Sequence, residues 1–180
     1  MTLSVRVPKE RVGALIGRKG ETKEAIEKRS GVKLSIDSGE GDVEIDYSSA
    51  EDPSMALAVA DVVTAIARGF SPQKALRLLE EDFFLEVLDI REYAGKKQSH
   101  VVRMRARVIG TKGKTRRIFE ELTGAAVSVY GNTVAIIGDS VQVDIAKRAM
   151  VMLLSGSEHA TVYRYLEGKR PKLKIDSMGF

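Results

Sequence analysis

Residues 15–31 read LIGRKGETKEAIEKRSG, in which two glycines three positions apart enclose an arginine and a lysine. An apolar pair precedes this loop, and a pattern typical of a helix follows it. Glycine permits a close approach of the backbone to a ligand, and a helix N-terminus offers unpaired N–H groups with a partial positive charge. The stretch therefore predicts a loop that holds phosphate.

Nucleotide phosphates are the first alternative, and the sequence argues against them. The P-loop motif requires a glycine five positions before its Gly-Lys-Ser/Thr, but Val108 occupies that position in front of Gly113, Lys114 and Thr115. The G-x-G-x-x-G pattern of dinucleotide sites does not occur around the loop either. The phosphates of a polymer backbone remain as the expected ligand.

The same stretch occurs twice in the chain. Residues 108–124 read VIGTKGKTRRIFEELTG, and a shift of 93 residues aligns them with residues 15–31 at seven identical positions of seventeen. The identical pairs are Ile16/Ile109, Gly17/Gly110, Lys19/Lys112, Gly20/Gly113, Thr22/Thr115, Glu27/Glu120 and Gly31/Gly124. The chain is therefore an internal duplication, with expected domains at residues 1–81 and 82–168 and a flexible basic tail at residues 169–180.

Hydrophobic periodicity predicts the order β-α-α-β-β-α for the first copy, followed by a further short helix that reaches Glu80. The predicted strands are residues 3–7, 32–37 and 42–47, and the predicted helices are residues 9–16, 20–31 and 53–68. In the last strand, Asp42, Glu44 and Asp46 alternate with apolar residues. We interpret these carboxylates as one solvated strand face rather than as a metal or acid/base site.

The second copy begins with a predicted strand at residues 83–90, and residues 101–109 then carry conflicting signals. Their alternation of arginine with apolar residues predicts a strand, whereas alignment with residues 9–16 predicts a helix. We favour the helix because Gly110 must again end a helix that enters the loop, which makes residues 91–99 an insertion. Only a few residues near Glu81 separate the copies, so we expect them to pack as one compact unit.

Composition limits the classes of function. Of 180 residues, 43% are apolar and 30% are charged, which is typical of a soluble globular protein. An apolar run of membrane-spanning length and the layout of a signal peptide are both missing, so we expect a cytoplasmic protein. Without cysteine, and with two isolated histidines, the chain is expected to hold no metal or cofactor. No catalytic constellation is recognisable, so an enzyme is not expected.

Positive charge is concentrated in the second copy. Residues 1–81 hold 12 basic and 14 acidic residues, whereas residues 82–180 hold 17 basic and 11 acidic ones. Between Glu92 and Glu120 there is no acidic residue and there are nine basic ones. Such a stretch favours a polyanionic partner, although a solvated helix face with acidic partners elsewhere remains an alternative.

A Gly-x-x-Gly loop preceded by Ile-Gly, placed between two short helices within β-α-α-β-β-α, resembles the type I K-homology (KH) RNA-binding domain. The motif is intact in both copies, and the order of elements differs from that of type II KH domains. An α+β fold with two tandem type I KH domains, each with an additional C-terminal helix, is therefore expected. At a finer level, the chain resembles the archaeal form of the ribosome-assembly factor family called partner of Nob one. Residues 91–138 and 146–167 carry this resemblance, which extends over residues 1–167.

The resemblance implies binding of about four unpaired nucleotides in the groove beside each loop. It also implies the 3′ region of small-subunit ribosomal RNA as the ligand, with the rRNA-trimming endonuclease or translation-initiation proteins as partners. A protein-interaction scaffold in RNA processing or translation initiation, whose KH folds have lost RNA, is the alternative function.

From the residues themselves, we expect the loop glycines to let backbone N–H groups reach phosphate oxygens and the basic side chains to neutralise the phosphate charge. The isoleucines would either form the apolar base of the groove or pack in the core. No aromatic residue falls in either loop, so base stacking is not expected. The expected RNA-binding residues are Ile16, Gly17, Arg18, Lys19, Gly20, Arg107, Ile109, Gly110, Thr111, Lys112, Gly113, Lys114, Arg116 and Arg117.

Overall fold

The duplication is folded as two similar units, each built on a three-stranded antiparallel sheet. The computed structural model describes residues 1–179, with one unit formed by Met1–Phe83 and the other beginning at Phe84. This division lies two residues beyond the boundary expected from the sequence.

The first unit follows the predicted order of elements. Its elements are β1 (Thr2–Arg6), α1 (Lys9–Ile16), α2 (Glu21–Ser30), β2 (Lys33–Ile36), β3 (Asp42–Asp46), α3 (Met55–Ala67) and α4 (Pro72–Ala75). A 3₁₀ turn joins α1 to α2, and another follows α4. The central strand is β3, which pairs antiparallel with both β1 and β2.

The second unit repeats this arrangement. Its elements are β4 (Phe84–Asp89), α5 (Arg91–Ala94), α6 (Gln98–Ile109), α7 (Lys114–Thr123), β5 (Ala126–Tyr130), β6 (Thr133–Gly138), α8 (Ser140–Leu154) and α9 (His159–Ser177). The sheet order is β4-β6-β5, with all pairs antiparallel. The predicted α+β class, with two similar units that each carry an additional C-terminal helix, is confirmed.

Alternation along β3 separates the core of the first unit from solvent. Val43 and Ile45 are at most 1% exposed, whereas the side chains of Asp42 and Glu44 on the opposite face are exposed. The prediction of a solvated acidic strand face is confirmed for these residues, and the sheet presents only one face of β3 to the helices.

The helix predicted by the duplication at residues 101–109 is present as α6, and the local strand pattern is misleading. Val101 and Val108 are fully buried and Met104 is partly buried, which is the spacing of a helical stripe. The expected insertion at residues 91–99 is itself largely helical. Residues 91–94 form α5, and α6 begins at Gln98, four residues before the position that aligns with the start of α1.

The segment expected as a flexible tail, residues 169–180, is helical as far as Ser177, where α9 ends. The sequence favoured an end near Glu167, since Gly168 and Pro171 both disfavour helix. Proline removes one backbone donor, but the helix continues through Pro171, and Leu173 packs against the core of the second unit. Phe180 lies outside the described residues.

Candidate nucleic-acid interface

The first Gly-x-x-Gly loop is a single 3₁₀ turn between α1 and α2. Gly17 ends α1 in the left-handed half of backbone space, with φ 78°, and its amide donates to the carbonyl of Gly13 at 2.9 Å. Gly20, also at φ 78°, begins α2, and its amide donates to the carbonyl of Gly17 at 3.1 Å. Residues with a Cβ rarely adopt these angles, which accounts for both glycines.

The second loop has the same backbone conformation. Gly110 has φ 76° and Gly113 has φ 75°, and the amide of Gly113 donates to the carbonyl of Gly110 at 3.1 Å. Neither α2 nor α7 has a side chain that caps its first N–H groups. The two loops therefore offer one geometry for an anion at the start of the following helix.

The two glycines of each loop are required for different reasons. A Cβ on Gly17 or Gly110 would overlap the hydroxyl of Thr22 or Thr115 and lie 2.7 or 2.6 Å from the amide nitrogen of that threonine. A Cβ on Gly20 or Gly113 would meet no atom within 4 Å. Packing therefore requires a glycine at the first position, whereas the second glycine faces open space through which a ligand can approach.

Lysines between the glycines occupy a strained conformation. Among residues 1–179, Lys19 and Lys112 are the non-glycine residues with positive φ, at 54° and 55°. The left-handed region costs a residue with a Cβ about 1 kcal/mol or more. The strain occurs at the same place in both copies, where a positive side chain meets the open side of the loop.

Exposure separates the loop residues from their neighbours. Arg18, Lys19, Thr111, Lys112 and Lys114 are exposed. Ile16 and Ile109 are half-buried, while the residues just before them, Leu15 and Val108, are fully buried. The loop isoleucines therefore contribute both to packing and to the surface beside the loop.

A cavity of about 390 Å³ opens beside the second loop. Its lining residues are Thr111, Lys112, Lys114, Arg117, Ile118 and Glu121. Three of these six side chains are basic, so the cavity has the charge expected for a phosphate-bearing ligand.

Two of the three arginines predicted to bind RNA in the second unit remain near the loop. Arg116 pairs with Glu120 at 3.1 Å, one helical turn further along α7. Arg117 donates from Nη2 to the carbonyl of Lys112 at 3.0 Å, which fastens its guanidinium to the loop. Arg117 is thereby held beside the open side of the turn.

The third arginine, Arg107, is occupied elsewhere. Its guanidinium donates to the carbonyls of Leu153 at 2.7 Å and Ser157 at 2.6 Å, where α8 ends. Carbonyls at the end of a helix lack partners within the helix, and a basic side chain is well suited to satisfy them. These contacts give Arg107 a structural role.

In the first unit another arginine binds the carbonyls at the end of a helix, and this contact was not predicted from the sequence. Arg11 on α1 donates to the carbonyls of Ile66 and Phe70, both at 2.8 Å, at the end of α3. Arg11 aligns with Met104 rather than with Arg107, so alignment of the two copies does not reveal that both arginines bind carbonyls at the end of a helix.

The identical glutamates of the repeat join helix to sheet. Glu27 accepts from the amide of Leu34 at 2.8 Å, and Glu120 accepts from the amide of Val127 at 3.0 Å. Each contact ties the helix that follows the loop to the next strand, so these identities maintain the fold around the loop.

Helix α9 forms hydrogen bonds to the two helices that flank the second loop. The hydroxyls of Tyr163 and Thr115 form a hydrogen bond at 2.9 Å, and His159 Nε2 donates to the carbonyl of Arg107 at 3.0 Å. The support therefore reaches both helices that meet at the loop.

The sequence gives no signal for the support by α9. Counted from Gly69 and Gly156, which follow α3 and α8, Leu76 is the counterpart of Tyr163. Leucine has no hydroxyl to donate or accept, so comparison of the two copies does not single out Tyr163.

Within residues 1–179, no group of three or more His, Cys, Asp or Glu side chains is placed to hold a metal ion. No helix in that range has both the length and the apolar character needed to cross a membrane.

Comparison with family models assigns both units. Residues 84–171 match the model described as "Eukaryotic type KH-domain (KH-domain type I)". Residues 2–59 match the model described as "KH domain". The two matches fall on the two loops and their flanking elements.

Curated relatives extend the similarity over most of the chain. The KH domain-containing protein MJ0443 from Methanocaldococcus jannaschii is 50% identical over 94% of this chain and 74% of its own length. The pre-rRNA-processing protein pno1 from Schizosaccharomyces pombe is 29% identical over 73% of this chain. The chain spans about half the length of such eukaryotic relatives, with 56% of the Schizosaccharomyces pombe protein covered.

Solved structures with similar sequences have the same fold as this chain. Dim2p from Pyrococcus horikoshii is 48% identical, with a TM-score of 0.84 over 93% of this chain and 98% of that one. The complex of a/eIF2alpha, aDim2p and rRNA from the same organism contains a chain that is 47% identical, with a TM-score of 0.87 over 96% of this chain and 95% of that one. The chain therefore belongs to the family of tandem KH-domain RNA-binding proteins that includes PNO1 and Dim2.

Proposed function

We propose that this protein binds single-stranded RNA through its Gly-x-x-Gly loops and acts in assembly of the small ribosomal subunit by binding the 3′ region of its rRNA. The observation that carries the proposal is the loop geometry, in which a lysine is held in a strained conformation beside a glycine that faces open space. The similar chain in a complex with rRNA supports the choice of ligand.

Phosphate is bound by the backbone and by charge together in this proposal. Amides at the start of α2 or α7 reach phosphate oxygens, because Gly20 and Gly113 leave room for the RNA backbone. Lys19 and Lys112 neutralise the phosphates. Ile109 lies beside the second loop as an apolar surface for a base.

Single strands are preferred for a geometric reason. A groove that contacts a short run of backbone on one side and bases on the other requires unpaired, splayed bases. The proposed contact residues are those expected from the sequence, except that Arg107 is reassigned to the support of α8.

Replacement of Thr111 and Lys112 together by aspartate tests the site. The change puts negative charge where phosphate must lie but keeps both glycines, and aspartate tolerates the left-handed position of Lys112 better than most residues do. We expect a loss of affinity of about tenfold or more for a single strand from the 3′ region of small-subunit rRNA, since charge-assisted contacts are replaced by repulsion.

The control is the matched variant with Arg18 and Lys19 replaced by aspartate, with folding of both variants checked by circular dichroism. A folded Thr111→Asp, Lys112→Asp variant that binds the RNA like the parent would contradict the proposal. A preference for duplex over single-stranded RNA of equal length would contradict it as well.

Protein partners form a second part of the proposal. The rRNA complex to which this chain is similar also contains a/eIF2alpha, which favours a translation-initiation protein as a partner. The endonuclease that trims rRNA is proposed as another partner, and the cytoplasm as the compartment where such assembly takes place. Co-purification of the intact chain with each candidate, with and without nuclease treatment, distinguishes direct contact from contact through RNA.

A further inference from the structure

Basic residues at the start of α6 lie outside the proposed loop site. Lys96 and Lys97 immediately precede α6, and Arg103 lies on its exposed side. His100, which is also exposed, lies one helical turn before Arg103. We refer to Lys96, Lys97, His100 and Arg103 together as the α6 basic surface.

The nine basic residues between Glu92 and Glu120 differ in what their side chains contact. Six of them contact other protein groups or line the cavity beside the loop, namely Arg105, Arg107, Lys112, Lys114, Arg116 and Arg117. The other three are Lys96, Lys97 and Arg103, whose side chains form no hydrogen bond or ion pair within residues 1–179. The alternative in which acidic partners neutralise this stretch therefore does not account for these three residues.

The two lysines are placed unfavourably for the helix that they precede. A helix N-terminus carries partial positive charge and is stabilised by acidic residues rather than by basic ones. Helix α6 has no acidic residue in its first turn and no side chain that caps it. The stability of the fold therefore gives no reason for positive charge at this position.

The exposed side of α6 connects the α6 basic surface with the second loop. Arg103, Ala106 and Gly110 follow one another at spacings of three and four residues, which places them along one side of the helix. Arg103 and Ala106 are exposed, and Gly110 begins the loop. With 12 residues, α6 is about 18 Å long, so an RNA that leaves the loop along α6 meets the α6 basic surface.

The chemistry of this surface favours a duplex over a further single strand. Residues 94–118 contain no Phe, Tyr or Trp, and the ring of Tyr93 packs against the core of the second unit. Surfaces for single strands combine positive charge with aromatic side chains on which bases stack. Duplex RNA is instead bound by its shape and through its phosphates and 2′-hydroxyls, for which exposed charge is sufficient.

We infer that the α6 basic surface binds the phosphate backbone of an RNA duplex that adjoins the single strand held by the second loop. This inference rests on the proposed function and extends its ligand from a single strand to a junction. Lys96, Lys97 and Arg103 neutralise phosphates of the duplex. The first unit lacks such a surface, because α1 has only eight residues and Glu10 aligns with Arg103.

Binding of matched RNAs to the full chain at about 0.15 M salt tests the inference. One RNA is a single strand from the 3′ region of small-subunit rRNA, and two others join that strand, at its 5′ or its 3′ end, to a hairpin duplex. A fourth is a single strand with the total length of the junctions. We expect one junction to bind at least about tenfold more tightly than either single strand, because charge-assisted contacts are added. Its log affinity against log salt should be steeper by about 0.9 for each duplex phosphate contacted.

Reversal of charge on the surface should remove this gain. In Lys97→Glu with Arg103→Glu, the junction should bind within about twofold of the single strand. Binding of the single strand should stay as in the parent, since Arg103 lies about 10 Å along α6 from Gly110 and charges are screened over about 8 Å at this salt. Glutamate at position 97 suits the start of a helix, so the fold should persist. Lys97→Gln with Arg103→Gln should lose part of the gain and keeps the test decisive if the reversed variant unfolds.

The matched control is Lys28→Glu with Lys74→Glu, which makes the same change in net charge at exposed positions of the first unit. It should keep the gain for the junction. Loss of the gain in this control would assign it to net charge and overturn the inference.

The remaining outcomes separate the inference from the proposed function. A parent that binds no single-stranded RNA overturns the proposed function and the inference with it. A parent that binds the single strand but gains nothing from a duplex at either end overturns the inference alone. The same holds if the gain survives charge reversal, or if the longer single strand gives an equal gain.

Discussion

At the scale of single residues, Gly110 and Gly113 are both essential to the second loop, but for reasons that substitution can separate. Gly110 packs against Thr115, and Gly113 faces open space. Both have positive φ, so alanine at either position is strained. Only at Gly110 does a steric clash add to that strain.

We predict that Gly110→Ala destabilises the fold by about 2 kcal/mol or more, because strain and overlap add. Gly113→Ala should cost only about 1 kcal/mol of stability, but it should reduce RNA affinity, because the methyl group stands where the RNA backbone approaches. Chemical denaturation and RNA titration of both variants check this. Equal destabilisation by the two changes would show that the packing difference is unimportant.

Lys112 offers a second test at this scale, because its backbone strain lowers the stability of the fold whereas its charge raises the affinity for RNA. We predict that Lys112→Gly leaves stability unchanged or raises it by up to about 1 kcal/mol, because glycine adopts the left-handed region without penalty. The same variant should bind RNA more weakly. The control is Lys28→Gly, an exposed position inside α2, which should lose about 1 kcal/mol. Parallel losses of stability in both variants would contradict the assignment of strain.

At the scale of elements, α9 is the part of the structure that most distinguishes the second loop from the first. Its Tyr163 hydroxyl reaches Thr115, the residue against which Gly110 packs. The helix therefore supports the start of α7, and the first unit has Leu76 at the equivalent position.

We predict that Tyr163→Phe loses about 1 kcal/mol of stability, the typical value of one hydrogen bond. It should also speed amide hydrogen exchange at residues 110–114, because the loop loses its support. RNA affinity should fall several-fold without a change in salt dependence, since no phosphate contact is removed. Unchanged exchange in the loop, with the same loss of global stability, would mean that the hydrogen bond serves packing alone.

The turn between β4 and α5 gives a prediction about pH. Asp89 accepts from the side chain of Arg91 at 2.8 and 3.1 Å and from its amide at 2.9 Å. The hydrogen bonds from the Arg91 side chain are the main cause that lowers the pKa of Asp89. The stabilisation is present above the ordinary pKa of aspartate and is lost as the pH falls through the lowered value.

An NMR titration of the Asp89 carboxyl checks this direction. In Arg91→Met we expect the pKa of Asp89 to return toward the ordinary value. As the pH falls below that value, the parent should lose more stability than Asp89→Asn, because only the parent has this carboxylate to protonate. A midpoint for Asp89 that Arg91→Met leaves unchanged would contradict the assigned cause.

Helices beside the loops could be predicted because glycines that end helices are visible in sequence, and because alignment with the first copy corrected the misleading alternation at residues 101–109. Other features had no such signal. Arg107 meets its partners 46 and 50 residues away, and nothing local indicates that pairing. The extent of α9 was missed because Leu173 stabilises, through tertiary packing, a segment that Gly168 and Pro171 disfavour.

At the scale of the whole molecule, charge is distributed unevenly between the two copies, and the second holds the excess of positive residues. That asymmetry should attract RNA to the second unit before local contacts form. The expectation of one compact unit, based on the short connection near Glu81, stays a prediction.

We predict a salt dependence that reports the number of phosphate contacts. For about four contacts with a single strand, log affinity against log salt should have a slope of about −3. Fluorescence titrations between 50 and 200 mM salt, roughly the range in which such dependence is pronounced, check the slope. A slope near zero would favour the protein-interaction scaffold over RNA binding.

The support of the second loop by α9 also sets an order of events during synthesis of the chain. Tyr163 follows Thr115 by 48 residues, which a ribosome adds in about 2 to 10 seconds at 5–20 residues per second. The first loop has all the residues of its unit long before that moment. A nascent chain therefore carries an incompletely supported second loop until α9 has been synthesised, which delays the capture of RNA by that loop relative to the first.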